Sequence, residues 1–466
     1  MAKIVTLAEL VGSSGGSVLC HGCWDVVHPG HLTHLRQAKA LGDCLVVSVT
    51  ADAYVGKGPG RPVFPAQQRA EFLASLDCVD YVVVNDAPSA LPVIEALRPA
   101  VYVKGPDYAE GKDNAGNLEA ERAAVEACGG QLVFTDGPTA SSTALINQTM
   151  PPRPDLAGYL GTVKGCDVGA WLNKARAFAS TVIGEAIKDE YIYVRAAGKS
   201  PKDNLLTYVH QRTEVYPGGA LAVERHLAEA TKRCYWACPN DTPVVKTRYV
   251  DETFTAKVFS YQPSVEVGAL RLNRMQALQP KTVAVIADFG HGLIPDAAAA
   301  NALTDRLRAE GAFIALTVQA NSTNWGYNLL TKYSAADYVV VDEAELRLAC
   351  QDLRSPLTQL VWREQTRLGA DYFAVTLGHK GCLVSAIGAH GRQVIEAPAL
   401  ADKVVDRIGA GDAFLAWTAP LAAAGAPGEV VAFVGNVAGG AKVGIPGNKE
   451  PVTEAAVRQW VKGLLG

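Results

Sequence analysis

The feature that most constrains this chain is an alternation of strand-like and helix-like segments that runs twice, on either side of a proline-rich stretch. In the first half, short Val-rich runs predict strands at 17–20, 44–49, 81–84, 101–103 and 131–134. Between them, apolar residues recur at helical spacing over 30–41 (Leu32, Leu35, Ala38), 67–76, 88–97 and 117–128. In the second half, strands are expected at 181–183, 283–287, 313–317, 338–341 and 372–376, with helices between. A helix is expected at 220–230, and further helices after Gly411 and after Val452. Residues 190–216 instead alternate polar and apolar side chains, an extended, antiparallel excursion. Alternating strands and helices leave one stable arrangement, a parallel sheet covered on both faces. Ligands in such sheets sit outside the C-terminal ends of the strands. The expected fold class is therefore α/β, twice over.

The stretch between the two patterns carries Pro151, Pro152, Pro154 and several glycines, so it reads as a linker. The expected division is 1–150, a linker at 151–169, and 170–466. A length of 466 residues suits that division. Against 43 basic residues stand 47 acidic ones, a net charge of −4 that argues against a nucleic-acid binder. The uncharged stretch that comes closest to a long apolar run, 413–428, contains Pro420 and Pro427 and reads as a buried helix, so no membrane span is expected. Residues 1–10 carry Lys3 and Glu9 and do not read as a signal peptide. Ten cysteines are scattered without the spacing of a zinc site, which points to small buried residues in a reducing cytosol.

His28-Pro29-Gly30-His31 lies between the first strand and the first helix. A helix N-terminus offers unpaired N–H groups and partial positive charge to an anion. Two imidazoles there can donate to phosphate oxygens and stabilise negative charge as one phosphate attacks the α-phosphorus of a nucleotide. The alternatives are two solvent-facing histidines, or a metal pair completed by His34.

The longer stretch Gly22-Cys23-Trp24-Asp25-Val26-Val27-His28-Pro29-Gly30-His31 resembles the nucleotidyltransferase superfamily with the His-x-Gly-His signature. Lys57-Gly58-Pro59-Gly60-Arg61-Pro62, Val103-Lys104-Gly105-Pro106-Asp107-Tyr108, Gly129-Gly130 and Ser141-Ser142-Thr143 resemble its heptose-1-phosphate adenylyltransferase branch. The resemblance covers 18–148 and implies a Rossmann-like domain with His28 and His31 catalytic. It implies that Gly22, Trp24, Lys57, Arg61, Lys104, Ser142 and Thr143 meet the nucleotide or its phosphates, and that Asp107 meets the sugar. Read alone, Lys57, Arg61 and Lys104 have the alternative of solvated surface charge, and Ser142 and Thr143 can cap a helix start as well as meet phosphate. One departure is His21, where that family usually carries Asn.

Asp406-Arg407-Ile408-Gly409-Ala410-Gly411-Asp412 precedes an apolar helix. Gly409 and Gly411 permit a tight turn whose amides form an anion hole, and Asp412 beside it can take a hydroxyl proton during phosphoryl transfer. As a plain alternative, Asp412 caps the helix. The turn resembles that of the ribokinase-like (PfkB) sugar kinases, as do Pro217-Gly218-Gly219-Ala220, Thr376-Leu377-Gly378-His379-Lys380-Gly381, Asp342-Glu343-Ala344-Glu345 and the segment 436–444. This second resemblance covers 179–466. It implies nucleotide contacts from Thr376, Gly378, Gly381, Gly409, Ala410, Gly411 and Asn436, and sugar contacts from Asp189, Gly218, Gly219 and Asn321. It also implies Asp342 and Glu345 acting through water on Mg2+, with Glu345 alternatively an exposed helix carboxylate. The stretch 190–216 would be the small β-sheet lid, which in several members also makes a dimer contact. Three departures fall in the sugar half of the pocket: Glu185 replaces Asp, Ala222 replaces Asn, and 318–324 replaces an Asp-Pro-Lys type element.

Together the halves resemble the bifunctional heptose-7-phosphate kinase/heptose-1-phosphate adenylyltransferases with the domain order reversed. The resemblance implies a cytoplasmic enzyme using ATP and Mg2+ on sugar phosphates, with no nucleic-acid or membrane partner and a homodimer through the lid. Two alternatives stay open: another sugar or polyol phosphate with CTP, or one domain silent and regulatory.

Overall fold

The computed structural model describes residues 3–10, 16–55, 62–105, 108, 117–136, 154–200, 202–236, 243–253, 256–263, 267–279, 281–321, 324–388, 391–401 and 404–465. The chain forms two compact units, 1–157 with 458–466, and 158–457.

The first unit holds six parallel strands, β1 (Lys3–Val5), β2 (Ser17–Gly22), β3 (Cys44–Thr50), β4 (Tyr81–Asn85), β5 (Val101–Lys104) and β6 (Gln131–Phe134). Their order is β1-β4-β3-β2-β5-β6. Alternate residues of each strand enter opposite layers. Val18 and Cys20 of β2 and Leu45, Val47 and Val49 of β3 join one core; Leu19 and Val46 join the other. The helices α1 (Pro29–Lys39), α2 (Ala66–Ala74), α3 (Leu91–Leu97) and α4 (Leu118–Ala127) supply the covering faces. The chain reverses its direction of travel between β2 and β5, so the crevice of this Rossmann-like sheet opens at the end of β2, where α1 begins.

In the stretch expected to be a linker, 151–153 lie outside the described residues, but a helix α5 (Pro154–Val163) follows at once, then α6 (Val168–Arg176). Proline is tolerated in the first helical turn, because its missing N–H would be unpaired there. Leu156, Tyr159, Leu160 and Val163 are buried, and the Tyr159 hydroxyl donates to the Glu429 carbonyl at 3.4 Å. An apolar face of that kind needs a core, which a free linker lacks.

The second unit has an eight-stranded sheet built from β7 (Ala179–Gly184), β10 (Arg233–Trp236), β13 (Val283–Asp288), β14 (Phe313–Val318), β15 (Tyr338–Asp342), β16 (Tyr372–Thr376), β17 (Cys382–Gly388) and β18 (Gly391–Ala397). The order is β10-β7-β13-β14-β15-β16-β17-β18. Pairing is parallel up to β16 and antiparallel for β17 and β18. A separate sheet, ordered β12-β11-β8-β9, contains β8 (Ala186–Lys199), β9 (Leu206–Gly219), β11 (Val244–Asp251) and β12 (Ala256–Tyr261). It is the sheet the alternating stretch predicted, extended by two later strands. Helix α7 (Ala220–Ala230) follows it, and α8 (Ala297–Ala309), α9 (Glu343–Cys350) and α10 (Leu357–Leu368) cover the large sheet.

Helices α11 (Ala410–Ala423) and α12 (Gly428–Lys442) are almost wholly buried. They approach closely because a Cβ on Gly435 would lie 2.4 Å from the Phe414 ring. The uncharged stretch 413–428 is thus a core helix and its following turn. No described helix is long and apolar enough to cross a membrane.

Candidate active sites

In the first unit, His28 is the N-cap of α1 with extended backbone, and Pro29 opens the helix. Three residues on, the His31 ring returns to the same end. The two imidazoles stack with centroids 3.9 Å apart and planes inclined by 22°. Trp24 meets His31 edge-on at 5.2 Å and lies 6.0 Å from His34. Its indole donates to the Ser48 carbonyl at 3.0 Å. That placement goes with a positive φ of 53° at Trp24 and leaves little room for a side chain on Gly22, whose Cβ would lie 3.2 Å from the indole.

Two residues to which the motif reading gave no role hold this loop in place. The carboxylate of Asp25 accepts from the N–H of Val63 at 2.6 Å and of Phe64 at 3.4 Å. The buried Arg69, on α2, donates to the carbonyls of Cys23, Phe64 (2.8 Å) and Thr50 (2.9 Å) and to Asp52 (2.5 Å). One guanidinium therefore ties the His-bearing loop to the end of β3 and to the start of α2. Its donor fork suits such a junction. An Arg on the same helix face as Ala70 and Leu73 was the only trace in the sequence.

Lys104 is buried, with its ammonium 2.9 Å from Glu121 and between the rings of Tyr102 and Tyr108. It was expected as a phosphate contact, and the structure engages it in an internal ion pair. Burial pushes the Glu121 carboxyl up, but Lys104 and the Ala90 N–H outweigh this and hold it below the usual range. Burial, and then Lys104, lowers His21 and His34 to about 4, so both are neutral. The His21 ring sits 3.0 Å from the Ser48 hydroxyl and 3.4 Å from that of Thr50. Lys57, Arg61, Asp107, Ser142 and Thr143 lie outside the described residues.

In the second unit a single cavity is lined by Asp189, Gly219, Lys246, Arg248, Asp342, Glu345, Thr376, Gly409, Gly411, Asp412 and Asn448, among others. Eight residues expected from sequence meet there: Asp189, Gly219, Asp342, Glu345, Thr376, Gly409, Gly411 and Asp412. Gly409 has φ +79° and caps α11 in the left-handed region, which brings the amides of the turn toward the helix start. Asp412 lies in the first turn of that helix, and the N-cap residue makes no side-chain cap bond. Burial, then the nearby Asp189 carboxylate, pushes Asp412 up to about 6, against the pull of Lys442 and Lys246.

The small sheet supplies the opposite wall. Asp189 on β8 is held by Arg248 of β11 and by the Asn448 amide at 3.3 Å. A Cβ on Gly218 would lie 2.3 Å from its carboxylate, so the Gly-Gly element makes room for this acid. Lys246, two residues before Arg248 and level with Asp189 in register, faces the same cavity. The alternation Lys246-Thr247-Arg248 on a strand was the available signal, since residues two apart share a face.

Asp342 caps α9. Its carboxylate accepts from the Glu345 N–H at 2.7 Å, and Glu345 accepts in return from the Asp342 N–H at 2.8 Å and from Ala320 at 3.1 Å. Burial, then Asp342, pushes Glu345 up to about 8. A divalent cation at this oxygen-only, like-charged wall would relieve the repulsion, and remaining lone pairs can bind its water shell. The residues fit Mg2+ held through water; no cluster of three direct metal ligands occurs among the described residues.

Five further expected contact residues take part in local backbone structure. Asn436 donates to the carbonyls of Ala397 at 3.2 Å and Pro398 at 3.1 Å. Asn321 donates to Phe289 at 3.0 Å. Gly378 and Gly381 have φ of +59° and +99° and shape the turn after β16, and a Cβ on Gly381 would strike the Ala397 carbonyl. Ala410 is the first residue of α11. Glu185, the departure from Asp, is buried and accepts from the N–H groups of Phe289 (2.9 Å), His291 (3.0 Å) and Leu293 (3.3 Å). It is committed to the loop that begins at Phe289, itself part of the cavity wall.

Residues 19–148 match the cytidylyltransferase-like family model, and 272–455 match that of the pfkB family carbohydrate kinases. Over 142 residues the chain is 41% identical to a bifunctional protein HldE of Syntrophotalea carbinolica, covering 29% of this chain and 27% of that one. Over 93 residues it is 48% identical to a bifunctional protein HldE of Helicobacter pylori, covering 20% of each chain. The chain thus spans about a quarter or less of the length of these relatives. The Escherichia coli phosphofructokinase-2 structure in complex with substrates and products aligns at 14% identity and TM-score 0.47, covering 61% of this chain and 99% of that one. At that identity and score it says nothing about chemistry. The chain carries a cytidylyltransferase-like N-terminal domain and a pfkB-type carbohydrate-kinase C-terminal domain.

Proposed function

We propose that this chain, with its nucleotidyltransferase-like and carbohydrate-kinase halves, is a bifunctional enzyme of nucleotide-sugar biosynthesis. One half phosphorylates a sugar phosphate, heptose 7-phosphate at its C1 hydroxyl, using ATP. The other transfers a nucleotidyl group to a sugar 1-phosphate, giving ADP-heptose and pyrophosphate. The observation that carries the reading is the meeting of Asp412, the Gly409–Gly411 turn and Asp189 in one cavity.

In the kinase step the sugar hydroxyl attacks the γ-phosphorus and its proton passes to Asp412, while ADP leaves. The amides of Gly409 to Gly411 face the transferred group, and Asp189 and Gly219 orient the sugar, with Thr376 toward the nucleotide. Asp342 and Glu345 would hold Mg2+ through water, and the ion would supply positive charge that neutralises the phosphates. In the other half, a sugar 1-phosphate oxygen attacks the α-phosphorus and pyrophosphate leaves. His28 and His31, at the positive end of α1, hydrogen-bond to the phosphate oxygens as charge accumulates. Trp24 and Gly22 form the wall beside them. Lys57, Arg61, Ser142 and Thr143 are assigned to the phosphates and Asp107 to the sugar by resemblance alone.

A second reading rests on His21. A neutral imidazole, where the resemblance calls for Asn, alters the hydrogen bonds available at the end of β2. That keeps CTP, with another sugar or polyol phosphate, as the competing substrate pair. A mass-spectrometric product screen decides: sugar 1- and 7-phosphates are offered with ATP and with CTP. ADP-heptose as the main product supports the first reading, and a cytidylyl product the second.

Exposed apolar residues on the small sheet (Leu206, Val209, Val215, Phe259, Tyr261) support a homodimer through the lid, which sedimentation velocity tests. None of the nine described cysteines forms a disulfide, which suits a cytoplasmic enzyme.

A further inference from the structure

Lys442, in the last turn of α12, is fully buried and has no part in the two reactions above. Its ammonium donates to the carbonyls of Ile408 at 2.9 Å, Ile445 at 3.4 Å and Gly447. Ile408 belongs to the turn that presents Gly409 and Asp412; Ile445 and Gly447 belong to the segment leading to Asn448, which holds Asp189. The side chain passes directly under the turn, since a Cβ on Gly409 would lie 3.1 Å from Lys442 Cε. Among the described residues the ammonium makes no ion pair. Asp406, Asp412 and Asp189 surround it at longer range, yet burial still lowers it to about 8. A buried charge satisfied only by backbone oxygens is costly unless its position serves something.

Converging backbone carbonyls are the donor set proteins use for monovalent cations. We propose that Lys442 is a tethered cation: its ammonium fills this carbonyl cage, clamps the two segments that build the phosphoryl-transfer turn, and supplies fixed positive charge beneath it. Lys442 is thus a positioning residue, and the kinase half works without a free monovalent cation at this point. The inference rests on the kinase reading of the second unit.

The test uses the full chain with Lys442→Ala and Lys442→Met, at temperatures where both are shown folded by circular dichroism. Nucleotidyl transfer serves as an internal control. Phosphoryl transfer is expected to fall roughly 10²-fold or more in both variants, the scale of losing one anion-stabilising group. Ammonium or potassium ions should restore at least tenfold in Lys442→Ala, where the cage is open, and nothing in Lys442→Met, whose stem occupies the approach. Wild-type turnover should be the same in sodium, potassium or tetramethylammonium salts. ADP affinity, measured by calorimetry, should weaken in Lys442→Ala and recover with ammonium. Wild-type turnover in Lys442→Met, or a loss in Lys442→Ala that no monovalent cation repairs, overturns the inference. If the wild-type chain transferred no phosphoryl group, the kinase reading would fail, and the calorimetric arm alone would still decide the role of the cage.

Discussion

The imidazoles of His28 and His31 stack at 3.9 Å at the head of α1, so in the proposed reaction the two residues would serve as one donor pair. His31→Ala removes a donor and its stacking partner's support together. Nucleotidyl transfer is expected to fall roughly 10²–10³-fold while phosphoryl transfer is unchanged. Pyrophosphate release at the wild-type rate would show that this loop does not carry the chemistry.

Arg69→Met removes four guanidinium hydrogen bonds, to the carbonyls of Cys23, Thr50 and Phe64 and to Asp52. A buried hydrogen bond is worth roughly 0.5–1.5 kcal/mol net, so a loss of about 3 kcal/mol is expected. Denaturant unfolding of the full chain measures it, and nucleotidyl transfer should weaken with it. An unchanged midpoint would mean that the guanidinium is not the tie described.

Asp412→Asn should abolish most phosphoryl transfer, on the order of 10²–10⁴-fold, and leave ATP affinity nearly intact. Asn keeps the size of Asp. Because the carboxyl is raised to about 6, its ionised form is disfavoured in the folded state. Removing that charge should leave the melting temperature equal or higher. A lowered melting temperature with normal turnover would make Asp412 a structural cap.

The same raised value sets a pH profile. The base form of Asp412 predominates only above about 6. Phosphoryl transfer (kcat) should therefore drop about tenfold per pH unit below that point. A flat profile down to pH 5 would exclude Asp412 as the proton acceptor.

Glu185→Gln keeps one acceptor oxygen where three backbone N–H groups converge. The loop that begins at Phe289 should loosen, raising the sugar-phosphate KM about tenfold with little effect on the ATP KM, because one lost buried hydrogen bond is worth roughly 1–1.5 kcal/mol. Steady-state kinetics in each substrate separate the two. An equal rise in both would place the loop outside the sugar side.

Much of the architecture was legible in local pattern. The β3 and β14 runs and the α1 and α7 periodicities lie within a residue or two of their expected positions, because a strand buried on both faces must be continuously apolar. The two glycine-bearing helix starts were equally legible, since few residues other than glycine adopt the backbone of Gly409. Less visible were β17 and β18, which return antiparallel at the sheet edge, and α5, whose prolines read as linker although its apolar face is buried.

The sequence by itself determined the order of most strands and helices, and pointed to His28, His31 and Asp412 as the candidate chemistry. Those properties depend on neighbours a few positions apart. Only the tertiary structure decided which charges remain available. Lys104 faces Glu121, Glu185 faces the amides from Phe289 onward, and Lys442 faces the Ile408 carbonyl, each across a separation no local pattern spans. A buried charge must take whatever partners the fold brings within hydrogen-bond reach, and that choice is made by packing.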